Sequence, residues 1–159
     1  MEGDKKMKKK VMVAIDVSES SHYALEWALQ NLIDSNTQLI ILTIQPLNEY
    51  SYLHASSFGS TPVELIQTFQ ENQRKVAMSL LEKAKEICIK HGLVEDVETI
   101  TEVGDPKEVI CEAVEKHNIQ MLIVGSHGRG PLKRVILGSV SNYCMHNANC
   151  SVLVVKKPL

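Results

Sequence analysis

Five short apolar runs, each separated from the next by a stretch with helical spacing, constrain this chain more than any other feature. Val11–Ile15 runs into Asp16, Leu39–Ile44 follows, a third run spans about Val97 to Val103, Met121–Val124 stops at Gly125, and Ser151–Val155 closes the series. Continuous apolar runs of strand length suit parallel strands buried on both faces. Between them, Leu25, Ala28, Leu29 and Leu32 recur at three and four, as do Ala77, Leu80, Leu81, Ala84 and Cys88, and then Val109, Ile110, Ala113, Val114 and His117. The helix starts are written in the same terms. Ser18 is placed to cap the first, with Glu19 in its first turn. Thr61-Pro62-Val63-Glu64 and Asp105-Pro106-Lys107-Glu108 both put a capping residue before proline and an acid three residues on. Gly92 after His91 is a helix stop, and the segment from Gly138 to about Asn147 is a last helix. The order is β-α-β-α-β-α-β-α-β. It predicts an α/β, Rossmann-like fold: a doubly wound, five-stranded parallel sheet with helices on both faces.

The 159 residues suffice for one domain and are few for two. Residues 11–157 are expected to form that domain, with residues 1–10 a solvated basic arm carrying Lys5, Lys6, Lys8, Lys9 and Lys10. The stretch of about 45–60 lacks helical spacing. It holds Tyr50, Tyr52, His54, Phe58 and Gly59, and is expected to be a mobile surface loop, open to protein partners. A net charge of −2 argues against a general nucleic-acid binder. No apolar leader follows the lysines, and no run reaches the length of a membrane span. Cys88, Cys111, Cys144 and Cys150 form no C-x-x-C pair and are expected as reduced, mostly buried thiols. Together these features suggest a cytoplasmic protein, with nuclear access open.

The chemistry concentrates after the fourth strand. Gly125-Ser126-His127-Gly128-Arg129-Gly130 is a glycine-rich turn, and Gly138-Ser139-Val140-Ser141 opens the last helix. Gly125 and Gly128 would let a loop fold closely over a ligand. Gly138 would let phosphate approach a helix start, where the N–H groups of Ser139 to Ser141 and the two serine hydroxyls supply donors. Arg129 could add a positive charge; Lys133 and Arg134 are expected in solvent. In open α/β sheets ligands sit beyond the carboxyl ends of strands where strand order reverses. With the order 3-2-1-4-5, the ends of strands one and four would flank that crevice. Asp16 then has two readings, as a cap for the first helix or as an acceptor for ribose hydroxyls. His127 meets phosphate through its backbone, with its ring in solvent, or turns its ring inward. There is no G-x-x-x-x-G-K-[ST], so no P-loop, and the turn after strand one has no glycine, so the dinucleotide fingerprint is missing.

At these residues the sequence resembles the universal stress protein family in its ATP-binding subgroup. That family's G-x2-G-x9-G-[ST] pattern is matched by Gly125, Gly128, Gly138 and Ser139. The resemblance runs from about Val11 to Lys156, and the opening Val13–Ser20 and the helix at Ala24–Leu29 look like plant members. It implies the strand order 3-2-1-4-5 in an adenine nucleotide alpha hydrolase-like fold. It also implies ATP, AMP or ADP as ligand, often with Mg2+ or Mn2+. Ala14, Asp16, Val17 and Ser18 would lie near adenine and ribose, and Ile44 would meet adenine. Gly125, Ser126, His127, Gly128, Arg129 and Gly130 would wrap the phosphates, closed by Gly138, Ser139, Val140 and Ser141. Homodimers through the last strand, Val152–Val155, are implied too, and an apolar edge strand invites such pairing.

Hydrolysis needs a base and a positioned water. No carboxylate lies inside the glycine motif, and Asp16 is assigned to ribose. The expectation is a nucleotide-dependent sensor with slow or no hydrolysis and no catalytic residue. The alternatives are a weak Mg-dependent ATPase or adenylyl-transfer enzyme, and a nucleotide-free interaction module.

Overall fold

The computed structural model describes residues 6–47, 63–93, 95–127 and 137–158. The elements are β1 (Lys9–Ile15), α1 (Glu19–Asn31), β2 (Thr37–Pro46), α2 (Val63–Lys90), β3 (Val97–Gly104), α3 (Pro106–Lys116), β4 (Met121–Gly125), α4 (Ser139–Asn147) and β5 (Ser151–Val155). All strand pairs are parallel, in the order β3-β2-β1-β4-β5. Val11 aligns with Leu39 on one side and Met121 on the other. Gly128, Arg129, Gly130, Lys133, Arg134, the helix start at Thr61-Pro62 and positions 48–60 of the expected loop lie outside the described residues.

Strand alternation divides the core in two. Val11, Val13, Ile15, Leu39, Ile41 and Ile123 point to one face, where α1 supplies Ala24, Leu25, Ala28 and Leu29, and α2 supplies Leu81, Ala84 and Cys88. Met12, Ile40, Leu42, Leu122 and Val124 point to the other, against Ile110, Ala113 and Val114 of α3 and Cys144 of α4. Each face buries alternate residues of the same strands, which is why the strands read as unbroken apolar runs.

Two strands are longer than their apolar runs. β1 begins at Lys9, paired with Thr37, and β2 continues to Pro46, opposite Gly104. Backbone pairing, not hydrophobicity, sets those ends. The lysines beside β1 take up local partners: Lys8 Nζ pairs with the Asp96 carboxylate, and Lys10 Nζ donates to the His117 carbonyl at 3.3 Å.

Helix ends follow the chemistry of their caps. Ser18 Oγ accepts the Ser21 N–H at 3.2 Å. Asp105 stands at the N-cap of α3 but makes no side-chain cap bond; Pro106 at the first position sets that start. Gly92 has φ +84°. Its N–H donates to Ile89 O at 2.9 Å, and the Leu93 N–H donates to Cys88 O at 3.0 Å. This is the two-bond C-terminal closure that a left-handed residue allows. Asn118, at φ 52°, closes α3 in the same way through Asn118 N–H to Glu115 O and Ile119 N–H to Val114 O.

Candidate functional site

The carboxyl ends of β1, β2 and β4 open into one cavity of about 1030 Å3. Of the expected site residues, Ala14, Asp16, Val17, Ser18, Ile44, Gly125, His127, Gly138, Ser139, Val140 and Ser141 line it. Parallel pairing of β1 with both β2 and β4 brings these ends together, and α4 reaches the same opening because Gly138 is tied to β4. The Gly138 N–H donates to the Ser126 carbonyl at 2.7 Å.

The geometry gives several of these residues a different physical role from the expected one. Ser126 is buried and does not line the cavity; its N–H donates to Val155 O at 3.1 Å while its carbonyl holds Gly138. The His127 N–H is already used, donating to Ser20 Oγ at 3.2 Å, so it is not a spare phosphate donor. The Ser141 hydroxyl is buried and donates to Gly138 O at 2.9 Å, so it faces the protein. Gly125 is the last residue of β4 rather than a loop residue. A Cβ there would stand 2.6 Å from Ser20 Oγ and 2.8 Å from the Ser20 backbone. Its lack of a side chain serves the close packing of α1 on the sheet.

What remains as donors is the backbone of α4. Gly138, with φ −55° and ψ 152°, caps the helix without a side-chain bond. The first intrahelical bond runs from Asn142 N–H to Gly138 O at 3.0 Å. The N–H groups of Ser139, Val140 and Ser141 therefore precede the helical ladder, at the positive end of the helix dipole and in the cavity wall.

Asp16 lies across the opening. Its Oδ1 accepts the Ser18 N–H at 2.8 Å and also the Ser18 hydroxyl. Its own N–H donates to Ser21 Oγ at 3.0 Å. The carboxylate is thus held by the turn that starts α1, while Ser18 is the cap itself. Both sequence-level roles are compatible with one geometry: one oxygen braces the turn and the side chain stays exposed at the cavity mouth. Asp16 is the sole carboxylate in the wall among the described residues, and these residues contain no group of three or more candidate metal ligands.

The thiols are all free. Cys88 and Cys144 are buried, and Cys111 and Cys150 half-buried. Burial pushes Cys144 up to about 12 and Cys88 up to about 11, and raises Cys111 and Cys150 as well. None of the four lines the cavity.

Sequence reasoning missed contributors of three kinds: Ser20, Thr43 and a stripe of α2. Ser20 looks like any helix residue, and its bond to His127 follows only from how α1 crosses β4. Thr43 sits inside an apolar strand. Gln73, Val76, Ala77 and Leu80 line the cavity at helical spacing on α2; their period was visible from Ala77 onward, but not what they would face.

A model of the universal stress protein family matches residues 7–156. The chain belongs to that family. The universal stress protein A-like protein of Arabidopsis thaliana is 32% identical over 160 residues, covering 93% of this chain and 90% of the relative. A universal stress protein family protein from Arabidopsis thaliana, solved with AMP bound, is 27% identical with a TM-score of 0.69, covering 94% of this chain and 92% of the other. Universal stress protein UspA from Lactobacillus plantarum shares the fold at 19% identity, with a TM-score of 0.74 over 92% of this chain and 97% of the other. Among the described residues no helix is long and apolar enough to cross a membrane.

Proposed function

We propose that this universal stress protein binds an adenine nucleotide in the cavity and acts as a nucleotide-dependent sensor in stress response or signalling, with slow or no hydrolysis. The observation that carries this is the run of three N–H groups at the start of α4, open to the same cavity as Asp16. Those N–H groups suit a phosphate. Asp16 suits ribose hydroxyls, and Ala14, Val17 and Ile44 offer an apolar wall for adenine. Gly128, Arg129 and Gly130 complete the phosphate side in this reading. The related Arabidopsis protein solved with AMP supports the ligand class. Mg2+ or Mn2+ would enter with the nucleotide phosphates, since the described wall offers one carboxylate, and Mg2+ commonly takes one or two with phosphate and water completing its shell.

The edge strand β5 is apolar, with Val152, Leu153 and Val154 half-buried at the end of the sheet. It is proposed to pair with a second copy, giving a homodimer. Protein partners are assigned to the stretch of about 45–60.

Mass spectrometry of whatever is released on denaturing the purified protein, followed by calorimetric titration with AMP and with ATP, tests this directly. An adenine nucleotide in the released fraction, or saturable binding of either, is expected. Absence of both would remove the nucleotide function and favour a pure interaction module. Sedimentation should give twice the chain mass, and a monomer at all concentrations would remove the β5 pairing.

A further inference from the structure

Three of the four cysteines meet on the α3–α4 side of the sheet. Cys144 of α4 belongs to that core, and Cys111 of α3 and Cys150, between α4 and β5, pack against it. Cys111 donates its S–H to Cys144 Sγ across 4.0 Å. The Cys150 thiol is turned elsewhere and donates to the Ser151 carbonyl at 3.3 Å. Cys88 lies in the opposite core, across the sheet from the other three. A free cysteine commonly serves as a small apolar side chain, and that role suffices for Cys88. It does not account for two sulfurs in contact on neighbouring helices.

The two members of the pair differ in access. Cys111 is half-buried and open to a small oxidant, whereas Cys144 is 0% exposed and meets chemistry from the Cys111 side. A disulfide needs its sulfurs about 2.05 Å apart, so the contact has to shorten by about 2 Å, through side-chain rotation and a small approach of the helices. Burial raises both thiols, Cys144 up to about 12. Since the thiolate is the nucleophile, the pair is slow to react and answers sustained oxidation rather than a brief pulse.

The position of Cys144 gives its oxidation a consequence. It follows Ser139 by five residues, about 7.5 Å along the axis of α4. Lys107 Nζ of α3 stands 5.6 Å from the centroid of the Tyr143 ring, a second contact between the same two helices. The helix is only nine residues long, so a pull at Cys144 reaches its first turn, where the N–H groups of Ser139, Val140 and Ser141 stand in the cavity wall.

We propose that Cys111 and Cys144 are a redox-active pair that closes to a disulfide under hydrogen peroxide, tying α4 to α3 and shifting the start of α4. The Cys111 thiolate attacks a peroxide oxygen: an S–O bond forms, the O–O bond breaks and water leaves. The Cys144 sulfur then attacks the sulfenic sulfur: the S–S bond forms, the S–O bond breaks and a second water leaves. The two thiol protons end in the two waters, and two electrons pass from the thiols to the peroxide. A thiol reductant returns them by exchange. No nucleotide takes part, and the pair stands whether or not the cavity binds one.

The test applies hydrogen peroxide to the folded full chain, maps its peptides by mass spectrometry without reduction, and follows the amides of Ser139 to Ser141 by NMR. An intrachain Cys111–Cys144 link, with the loss of two hydrogens, is expected. The three amides should shift with it, and dithiothreitol should reverse both changes. Cys111→Ser should abolish the link and the shifts. Cys150→Ser should keep both, at a rate within about threefold of the parent. Oxidation of Cys111 to a sulfinic acid beside a Cys144 that stays a thiol would overturn the proposal. So would a preferred link to Cys150, or a link to Cys88, which requires the sheet to open. A Cys111–Cys144 link that leaves the three amides unmoved would overturn the coupling to α4. Should Cys111→Ser not fold, the map of the parent and of Cys150→Ser decides.

Discussion

Gly125 shows how one absent side chain can set both packing and a site. The Ser20 backbone lies where its Cβ would be, so Gly125→Ala must push α1 away from β4. Overpacking of this kind typically costs about 1–3 kcal/mol. The same displacement strains the bond from His127 N–H to Ser20 Oγ. Urea unfolding should show the loss, and AMP titration should show weakened binding; a variant as stable as the parent would refute the contact. The helix closures make a paired prediction. Gly92 and Asn118 occupy equivalent left-handed positions. Gly92→Ala should cost about 1 kcal/mol, while Asn118→Gly should be neutral or gain a few tenths. A lowered denaturation midpoint for Gly92→Ala with an unchanged or raised one for Asn118→Gly is expected, and a loss in both would contradict the shared geometry. Gly92 was readable as a stop because glycine announces it. Asn118 was not, since asparagine is common in turns of every kind. Nor was the reason for Gly125, because the glycine pattern suggested a loop, whereas the partner that demands glycine is Ser20, more than a hundred residues away.

Element by element, most boundaries were legible because caps and apolar spacing agree at each. The main exception is α2. At 28 residues it is about 42 Å long, while β2, the longest strand, has 10 residues and spans about 33 Å. Its buried residues are Ala77, Leu81, Ala84 and Cys88, all in the later part. The apolar stripe read from the sequence begins where the sheet begins to lie beneath the helix, and ahead of it the side chains meet solvent and cavity. The start of α4 carries the sharper prediction. Ser139 is its first residue, and proline is well tolerated there, the more so because Gly138 already has the extended ψ that a following proline needs. Ser139→Pro should therefore leave the fold intact and delete one N–H from the proposed phosphate cradle. A hydrogen bond to a charged group is worth about 1.5–3 kcal/mol, so AMP affinity should fall by roughly tenfold to a hundredfold. Ser139→Ala keeps the N–H and should bind within about threefold of the parent. Equal affinities for the two variants in calorimetry would remove that N–H from the site.

At the scale of the whole molecule, the sheet joins two cores that share no helix. Cys88 reports on one and Cys144 on the other. The division itself was implicit in the sequence, since continuous apolar strands need covering on both sides. The cavity that bridges the two faces was not, because it depends on α2 extending past the strand ends and on α4 being tied to β4 through Ser126. The thiols give a test of whether the two cores act as one. In each, burial raises the folded pKa, to about 11 for Cys88 and about 12 for Cys144, from an ordinary value of 9.0. Both are neutral in folded and unfolded chains below pH 9, so their contribution is fully present there. Above pH 9 the unfolded thiols ionise while the folded ones do not, and stability falls until pH reaches the folded values. At pH 11 each should have lost on the order of 2 kcal/mol. Urea unfolding from pH 8 to 11 should thus show a steep alkaline loss, shallower in Cys88→Ala and in Cys144→Ala, whatever each variant costs at pH 8. If the sheet unfolds as a unit, each substitution flattens one common transition by a similar amount. Two separated transitions, each responding to only one cysteine, would show that the faces unfold independently, and an unchanged slope in both variants would show that neither thiol is buried as the structure has it.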